Sequence, residues 1–419
     1  MPLKKIKIHT KFLAVFLLFS LIPFTAIGIL AYQHTQKIIK ELAFDQLKKL
    51  RETKKTQLNN YFSEQLHDMD DLAYTIEALQ QAAFDKFATI QETKRAHIHQ
   101  YFQTVMRDID GISSDYSVRR ALSDFSSTLR KNGLDRQLYN FFERIKYGTS
   151  LQKYKADYGY YDLLLINKNG NVVYSINHET DFGENVLSPS LLESGLGKCF
   201  NLALEKKNIQ DFRPYAPSNN RQIAFVGNSI KDNNGEVLGV AILKIDTTAI
   251  NSITQTRQGM GKTGETYLVG RLNGQTSLRT NNSLQHEINN QIKSDEFIDQ
   301  AMQGSFGPIL RKNTKSMMEI TSYDKLDIPG LNWVMITSMS LEEVIDPKLR
   351  ATGISGYFEG HMQVYGPSNY YLVTPSGDVF YSFTNNSVQD TNIITGIYAN
   401  SGLGRLFQRM LASKSFEFE

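Results

Sequence analysis

Tyr160-Tyr161-Asp162-Leu163-Leu164-Leu165-Ile166, then Asn167-Lys168-Asn169-Gly170-Asn171, then Val172-Val173-Tyr174-Ser175 is the stretch on which the fold turns. An apolar run, a polar cluster holding a glycine, and a second run of β-branched and aromatic residues spell an antiparallel hairpin. Downstream, residues 190–205 have helical spacing. Ile223-Ala224-Phe225-Val226 and Val237–Ile245 read as further strands, parted by the turn cluster Lys231-Asp232-Asn233-Asn234-Gly235. Hairpin, helix and more strands predict an α+β domain with helices laid on an antiparallel sheet.

The hairpin recurs. At one gapless offset of 207, Tyr158-Gly159 matches Tyr365-Gly366 and Leu165 matches Leu372. Gly170, Val172, Tyr174, Ser175 and Asn185 match Gly377, Val379, Tyr381, Ser382 and Asn392. Ser194-Gly195-Leu196-Gly197 matches Ser401-Gly402-Leu403-Gly404, and Phe200 matches Phe407. The two segments are therefore expected to share a fold. The second copy reaches Phe418-Glu419 before any counterpart of the later strands, which predicts an incomplete module over 353–419 and a chain that is part of a longer protein.

Upstream, from Thr35 to about Lys146, apolar residues step by three and four: Leu58, Phe62, Leu66, Met69, Leu72, Ile76, Leu79. No proline interrupts them, so a helical stalk or bundle is expected over 33–150, with breaks at Gly111 and Gly133. It repeats internally: 51–73 and 91–113 align at an offset of 40, with Glu52/Glu92, Lys54/Lys94, Tyr61/Tyr101, Phe62/Phe102 and Asp68/Asp108 identical. Ile98, Phe102, Val105, Ile109 and Ile112 form a seam for packing on another surface.

Residues 12–32 carry no charge. As a helix they would be about 31 Å long at ~1.5 Å per residue, enough to cross a bilayer core. Lys4, Lys5, Lys7 and Lys11 precede the run, so residues 1–11 are expected in the cytoplasm and those after 32 on the outer side of a bacterial inner membrane. A cleavable signal peptide is the alternative. Its apolar core is shorter, and Ile29-Leu30-Ala31-Tyr32-Gln33 offers no small-x-small exit.

The charge balance, 46 basic against 43 acidic side chains, gives no concentrated basic face and argues against nucleic acid as a partner. One cysteine, Cys199, excludes an internal disulfide. The turn 259–263 has Thr256 where a phosphate loop needs glycine, so it reads as a turn into a strand. His97 and His99 point roughly 200° apart on a helix. His178, Glu179 and Asp181 read as a solvated loop, because the second copy has Asn385, Asn386 and Val388 there. No cofactor, metal site or catalytic constellation is expected.

Several stretches together resemble the double Cache sensor region of bacterial transmembrane receptors, chiefly methyl-accepting chemotaxis proteins. They are Tyr160 to Ile166, Asp181-Phe182-Gly183-Glu184-Asn185, Ser194-Gly195-Leu196-Gly197, Asp211-Phe212-Arg213-Pro214-Tyr215-Ala216-Pro217-Ser218, and the run from Gly259 to Gly270. The helix Glu52-Thr53-Lys54…Tyr61-Phe62 is similar to the family's stalk. Related histidine kinases and nucleotide cyclases carry the same region. The resemblance implies PAS-like lobes at 154–253 (membrane-distal) and 259–344, the latter closing with Asn332 to Thr337. It also implies a small-molecule ligand in the distal lobe, often an amino acid or other carboxylate. Two departures stand out. Ser277-Leu278-Arg279-Thr280-Asn281 replaces the family's usual Arg-Ser-Asp run. The Arg-x-Trp-Tyr motif of amino-acid sensors has no counterpart, the sole tryptophan being Trp333.

Candidate ligand-binding residues are the polar groups of the otherwise apolar distal lobe: Tyr160, Tyr161, Asp162, Tyr174, Asp211, Arg213, Tyr215 and Asp246. Arg213 suits a two-pronged grip on a carboxylate. The bland alternative is an Asp211–Arg213 salt bridge among core tyrosines. The expected assembly is a membrane-anchored, non-enzymatic sensor, homodimeric through its stalk.

Overall fold

The computed structural model describes residues 8–130, 133–280, 296–313, 317–345, 360, 362, 369–384 and 387–413. Lys4, Lys5, Lys7, Asn281, Asn385, Asn386, the expected start of the third copy near Gly353 and its end at Phe418-Glu419 lie outside them. Two compact units are present, Met1–Ile76 and Glu77–Glu419.

The first unit is helical and belongs to α1 (Ile8–Ser114). Its apolar stretch around Pro23 is long and apolar enough to cross a membrane, and none of it is buried within the protein.

In the second unit α1 ends at Ser114 rather than at Gly111, where a break was expected. A glycine costs about 1 kcal/mol in a helix. Here Val105, Ile109 and Ile112 are fully buried on either side of it and hold the backbone helical. The stop comes from Asp115, whose side chain accepts the N–H groups of Ser117 (2.7 Å) and Val118 (3.4 Å) and caps α2 (Tyr116–Ser127). The break expected at Gly133 is present: β1 (Leu129–Arg130) and β2 (Gly133–Leu134) interrupt the helical region there, and α3 (Arg136–Phe141) and α4 (Gly148–Ala156) follow.

A five-stranded antiparallel sheet follows: β3 (Asp162–Asn167), β4 (Val172–Ser175), β5 (Asn208–Tyr215), β6 (Arg221–Lys231) and β7 (Val237–Ile245), in the order β4-β3-β7-β6-β5. The expected helix at 190–205 is shorter, α5 (Gly195–Ala203), because Ser194 caps it by accepting the Gly197 N–H at 3.2 Å. One sheet face packs Leu163, Leu165 and Leu243 against Ile98, Phe102, Val105 and Ile109 of α1. The other packs Leu164, Ile223, Phe225 and Ile242 against Leu196, Cys199 and Phe200 of α5. Gly227 lets α5 approach: a Cβ there would lie 2.8 Å from the Cys199 sulfur.

After α6 (Thr248–Thr254), a second antiparallel sheet comprises β8 (Glu265–Leu272), β9 (Gln275–Leu278), β10 (Gly307–Lys312), β11 (Met318–Leu326) and β12 (Trp333–Ser340), in the order β10-β11-β12-β8-β9. The short helices α7 (Glu296–Met302) and α8 (Leu341–Ile345) lie between and after its strands. A further two-stranded sheet pairs β13 (Tyr371–Val373) with β14 (Val379–Ser382) ahead of α9 (Gly402–Ser413).

The 207-residue repeat holds down to single hydrogen bonds. Gly170 and Gly377 take φ of 87° and 88°, and Asn171↔Asn185 is echoed by Asp378↔Asn392. Both hairpins shift register at the same step. Ser401 caps α9 through Gly404 at 3.1 Å, as Ser194 caps α5.

Candidate functional site

Lys244 is the unexpected residue. It is the one charged side chain in the apolar strand β7, and its side chain is 0% exposed. Register places it directly opposite Asp162 of β3. Its Nζ lies 2.7 Å from Asp181, 2.9 Å from Glu179 and 3.5 Å from Asp162. Glu179 and Asp181 come from the loop after β4, in the segment read as a solvated loop; Asp181 is instead fully buried. The loop folds over the end of the sheet, where its carboxylates supply the counter-charges that a buried ammonium requires.

Hydroxyls complete the cluster. Tyr215 donates to Asp181 Oδ2 at 2.8 Å, Tyr161 to Glu179 at 2.6 Å, Ser218 to Glu179 at 2.5 Å and Ser175 to Asp162 at 2.8 Å. Burial raises the Asp162 pKa despite the Lys244 charge. Burial alone would also raise Glu179, but bonds from Ser218, Tyr161 and Lys244 outweigh it and hold that carboxyl below its ordinary value. Desolvation works against the Lys244 charge, yet Asp181 and Asp162 prevail and its pKa is raised. One acceptor is left over: Asp181 Oδ1 is buried and has no hydrogen-bond partner.

Of the eight residues expected to bind ligand, Tyr161, Asp162 and Tyr215 meet in this cluster. The other five lie elsewhere. Tyr160 donates to Asp108 of α1 at 2.6 Å. Tyr174 packs on Phe125 in the core facing α1 and α2, with ring centroids 5.0 Å apart. Asp246 accepts the N–H and hydroxyl of Thr248 at 3.0 Å each and turns the chain into α6. Arg213 is half-buried and pairs with Ile223 in the β5–β6 ladder, and among the described residues no hydrogen bond or ion pair holds its side chain. The alternative Asp211–Arg213 bridge is absent. A register shift between Gln210 and Arg213 turns Asp211 toward the second sheet, where it pairs with Arg279 at 2.8 Å. Sequence reading missed Lys244, Glu179 and Asp181. A lysine inside the run Val237–Ile245 was the available signal, since an ammonium on a buried strand demands carboxylates nearby.

The turn at 259–264 leads into a strand, as expected. Its N–H groups are filled from within: Glu343 of α8 accepts those of Lys262 (2.6 Å) and Thr263 (2.7 Å).

The dCache_1 family, described as a Cache domain, matches residues 35–347. No curated protein sequence matches the chain. Among solved structures, the sensor domain of the V. cholerae histidine kinase DctB aligns at 15% identity and a TM-score of 0.41, over 62% of this chain and 98% of that one. The ligand-binding domain of the Pseudomonas fluorescens chemoreceptor CtaA, solved with L-serine, aligns at 12% and 0.40, over 62% and 98%. The sensory domain of the Campylobacter jejuni chemoreceptor Tlp3 aligns at 11% and 0.45, over 65% and 99%.

Proposed function

The chain belongs to the Cache-domain family, and from that premise we propose that it is the extracytoplasmic, ligand-sensing region of a bacterial membrane receptor, most similar in kind to a chemoreceptor. Residues 12–32 anchor it, with the N-terminus in the cytoplasm. Helix α1 carries the response toward the membrane. The output is chemotactic; a phosphoacceptor-histidine helix followed by an ATP-binding domain in the same polypeptide would replace that reading with a kinase.

One observation carries the choice of ligand: three carboxylates converge on a single ammonium and leave the buried Asp181 Oδ1 unsatisfied. An unmet buried acceptor costs about 1–3 kcal/mol. A ligand amine donating to it recovers that cost and replaces or joins Lys244. A carboxylate ligand, the expectation from sequence, would meet acidic groups, with Arg213 outside the cluster. We therefore take the ligand to be a small molecule bearing a cationic amine. The test is thermal stabilisation of the full chain in nanodiscs by a panel of amines, carboxylates and sugars. Stabilisation by amines that is lost in Asp181→Asn supports the reading; stabilisation by carboxylates alone overturns it.

We also propose a homodimer through α1. Leu58, Phe62 and Met69 of the first helical copy are 57%, 45% and 44% exposed, whereas their second-copy counterparts Ile98, Phe102 and Ile109 are buried. A second copy of the chain would cover them. Disulfide crosslinking of Leu58→Cys between chains checks this; its failure, with monomeric mass in solution, rejects it.

A further inference from the structure

Asp211 stands where two sheets and a helix meet. Its carboxylate accepts Arg279 Nε at 3.0 Å to both oxygens, Arg279 Nη2 at 2.8 Å, and the indole N–H of Trp333 at 3.0 Å. Arg279 gives its remaining nitrogen to Ser277, to the carbonyl at 3.1 Å and the hydroxyl at 2.7 Å. The arginine is 1% and the tryptophan 0% exposed. A buried ion pair this fully hydrogen-bonded is directional, because moving either partner strands a charge. The indole is boxed in as well. Phe212 stacks on it at 5.8 Å, and Phe102 of α1 meets it edge-on at 5.6 Å. Gly270 leaves the room for this: a Cβ there would sit 2.7 Å from the Arg279 guanidinium and 2.8 Å from the indole.

The strand that delivers Asp211 is β5. Its ladder with β6 shifts register between Gln210 and Arg213, so Asp211 and Phe212 aim away from the regular pairing. Four residues further along the same strand, Tyr215 donates its hydroxyl to Asp181 in the Lys244 cluster. The strand thus touches the first sheet's buried charges at its C-terminal end and the second sheet's buried arginine at its middle, about 13 Å apart at ~3.3 Å per residue.

We propose that Asp211 is a positioning residue that couples the two lobes. A change at the Lys244 cluster moves Tyr215, β5 carries the movement to its bulge, and Asp211 passes it to Arg279, Trp333 and, through Phe102, α1. This rests on the reading that ligand engages the Lys244 cluster, yet the coupling is testable without any ligand.

The protein has a single tryptophan, so the intrinsic indole emission of the full chain reports on this junction alone. Two hydroxyls of the cluster are compared. Tyr215→Phe removes the one borne by β5; Tyr161→Phe removes one borne by the entry to β3. The expected result is a red-shifted Trp333 emission and greater acrylamide quenching in Tyr215→Phe, with Tyr161→Phe like wild type. In an Asp211→Asn or Arg279→Lys background, Tyr215→Phe should produce no further change. Identical spectra for wild type and Tyr215→Phe, or equal changes in both tyrosine variants, overturn the coupling. With 1,4-diaminobutane as probe, the two ideas separate. Thermal stabilisation retained in Asp211→Asn while the Trp333 response is lost supports the coupling. A Trp333 response that survives in Asp211→Asn overturns it. If the probe does nothing, the tyrosine comparison still decides.

Discussion

Glu343 closes on Thr263 twice: one carboxylate oxygen accepts both the backbone N–H, at 2.7 Å, and the side-chain hydroxyl. Its other oxygen takes the Lys262 N–H, so a turn that superficially resembles an anion-binding loop is occupied by the protein's own anion. Gly261 sits at φ 58°, and a Cβ there would lie 2.3 Å from Glu343 Oε1. Burial would raise this carboxyl, but the bonds from Lys262 and Thr263 win and hold it below its ordinary value of 4.5. The stabilisation is therefore complete above pH 4.5 and is lost as pH falls through the lower, folded-state value. Glu343→Ala should cost about 1–2 kcal/mol at neutral pH. Thermal melts should show that deficit shrink toward acid pH.

Lys244→Met leaves the buried Asp162 and Asp181 and the half-buried Glu179 without their lysine. Removing one partner of a buried ion pair costs about 3–5 kcal/mol. The variant should therefore melt far below wild type at pH 7 and recover part of the difference in acid, as Asp162, whose pKa burial already raises, takes up a proton. Equal loss at both pH values would mean that the lysine's packing, not its charge, is what the lobe needs.

Lys94 of α1 is buried, and no carboxylate among the described residues pairs with it. Its ammonium donates to the Thr254 carbonyl at 2.7 Å and the Thr266 hydroxyl at 3.0 Å. Burial first, and the Arg257 charge second, lower its pKa from 10.5 to about 8. The unfolded chain then binds more protons between those two values, so this group makes stability rise with pH across that window and its cost is full below it. Wild type should gain stability from pH 8 to 10 relative to Lys94→Met, measured by paired melts.

Gly197 and Gly404 occupy equivalent places in the 207-residue repeat. A Cβ at Gly197 would meet the Leu191 carbonyl at 2.4 Å; one at Gly404 would meet the Tyr398 carbonyl at 2.4 Å. Both alanine variants should loosen the helix that follows. Hydrogen exchange should place the effect of Gly197→Ala across the first five-stranded sheet and that of Gly404→Ala within 369–413.

The hairpins and their repeat are plain in the sequence because glycine and asparagine at fixed offsets leave the backbone few alternatives, as Gly170 and Gly377 demonstrate. The helix boundary at Gly111 was misread because the cost of a glycine is local, while the burial of Ile109 and Ile112 that overrides it depends on a sheet more than fifty residues away. The site was half legible. Tyr161, Asp162 and Tyr215 stand out as polar groups on apolar strands. Lys244 and Asp181 join them only through strand register and a folded-over loop, neither of which a local pattern encodes. Asp211 illustrates the limit best, since its partner Arg279 lies 68 residues on and a register shift, not spacing, aims it there.

Cys199 of α5, packed against Gly227, has a practical consequence. It is the chain's only cysteine, it is fully enclosed, and burial raises its thiol pKa well above the ordinary value. A thiolate is the reactive species, so in the folded protein this residue is silent toward maleimides and oxidants. The natural sequence thus serves unaltered as a background for site-directed labelling. A spin label or fluorophore placed on α1 or β5 reports from that one position, and any signal from the native cysteine means that the lobe has opened.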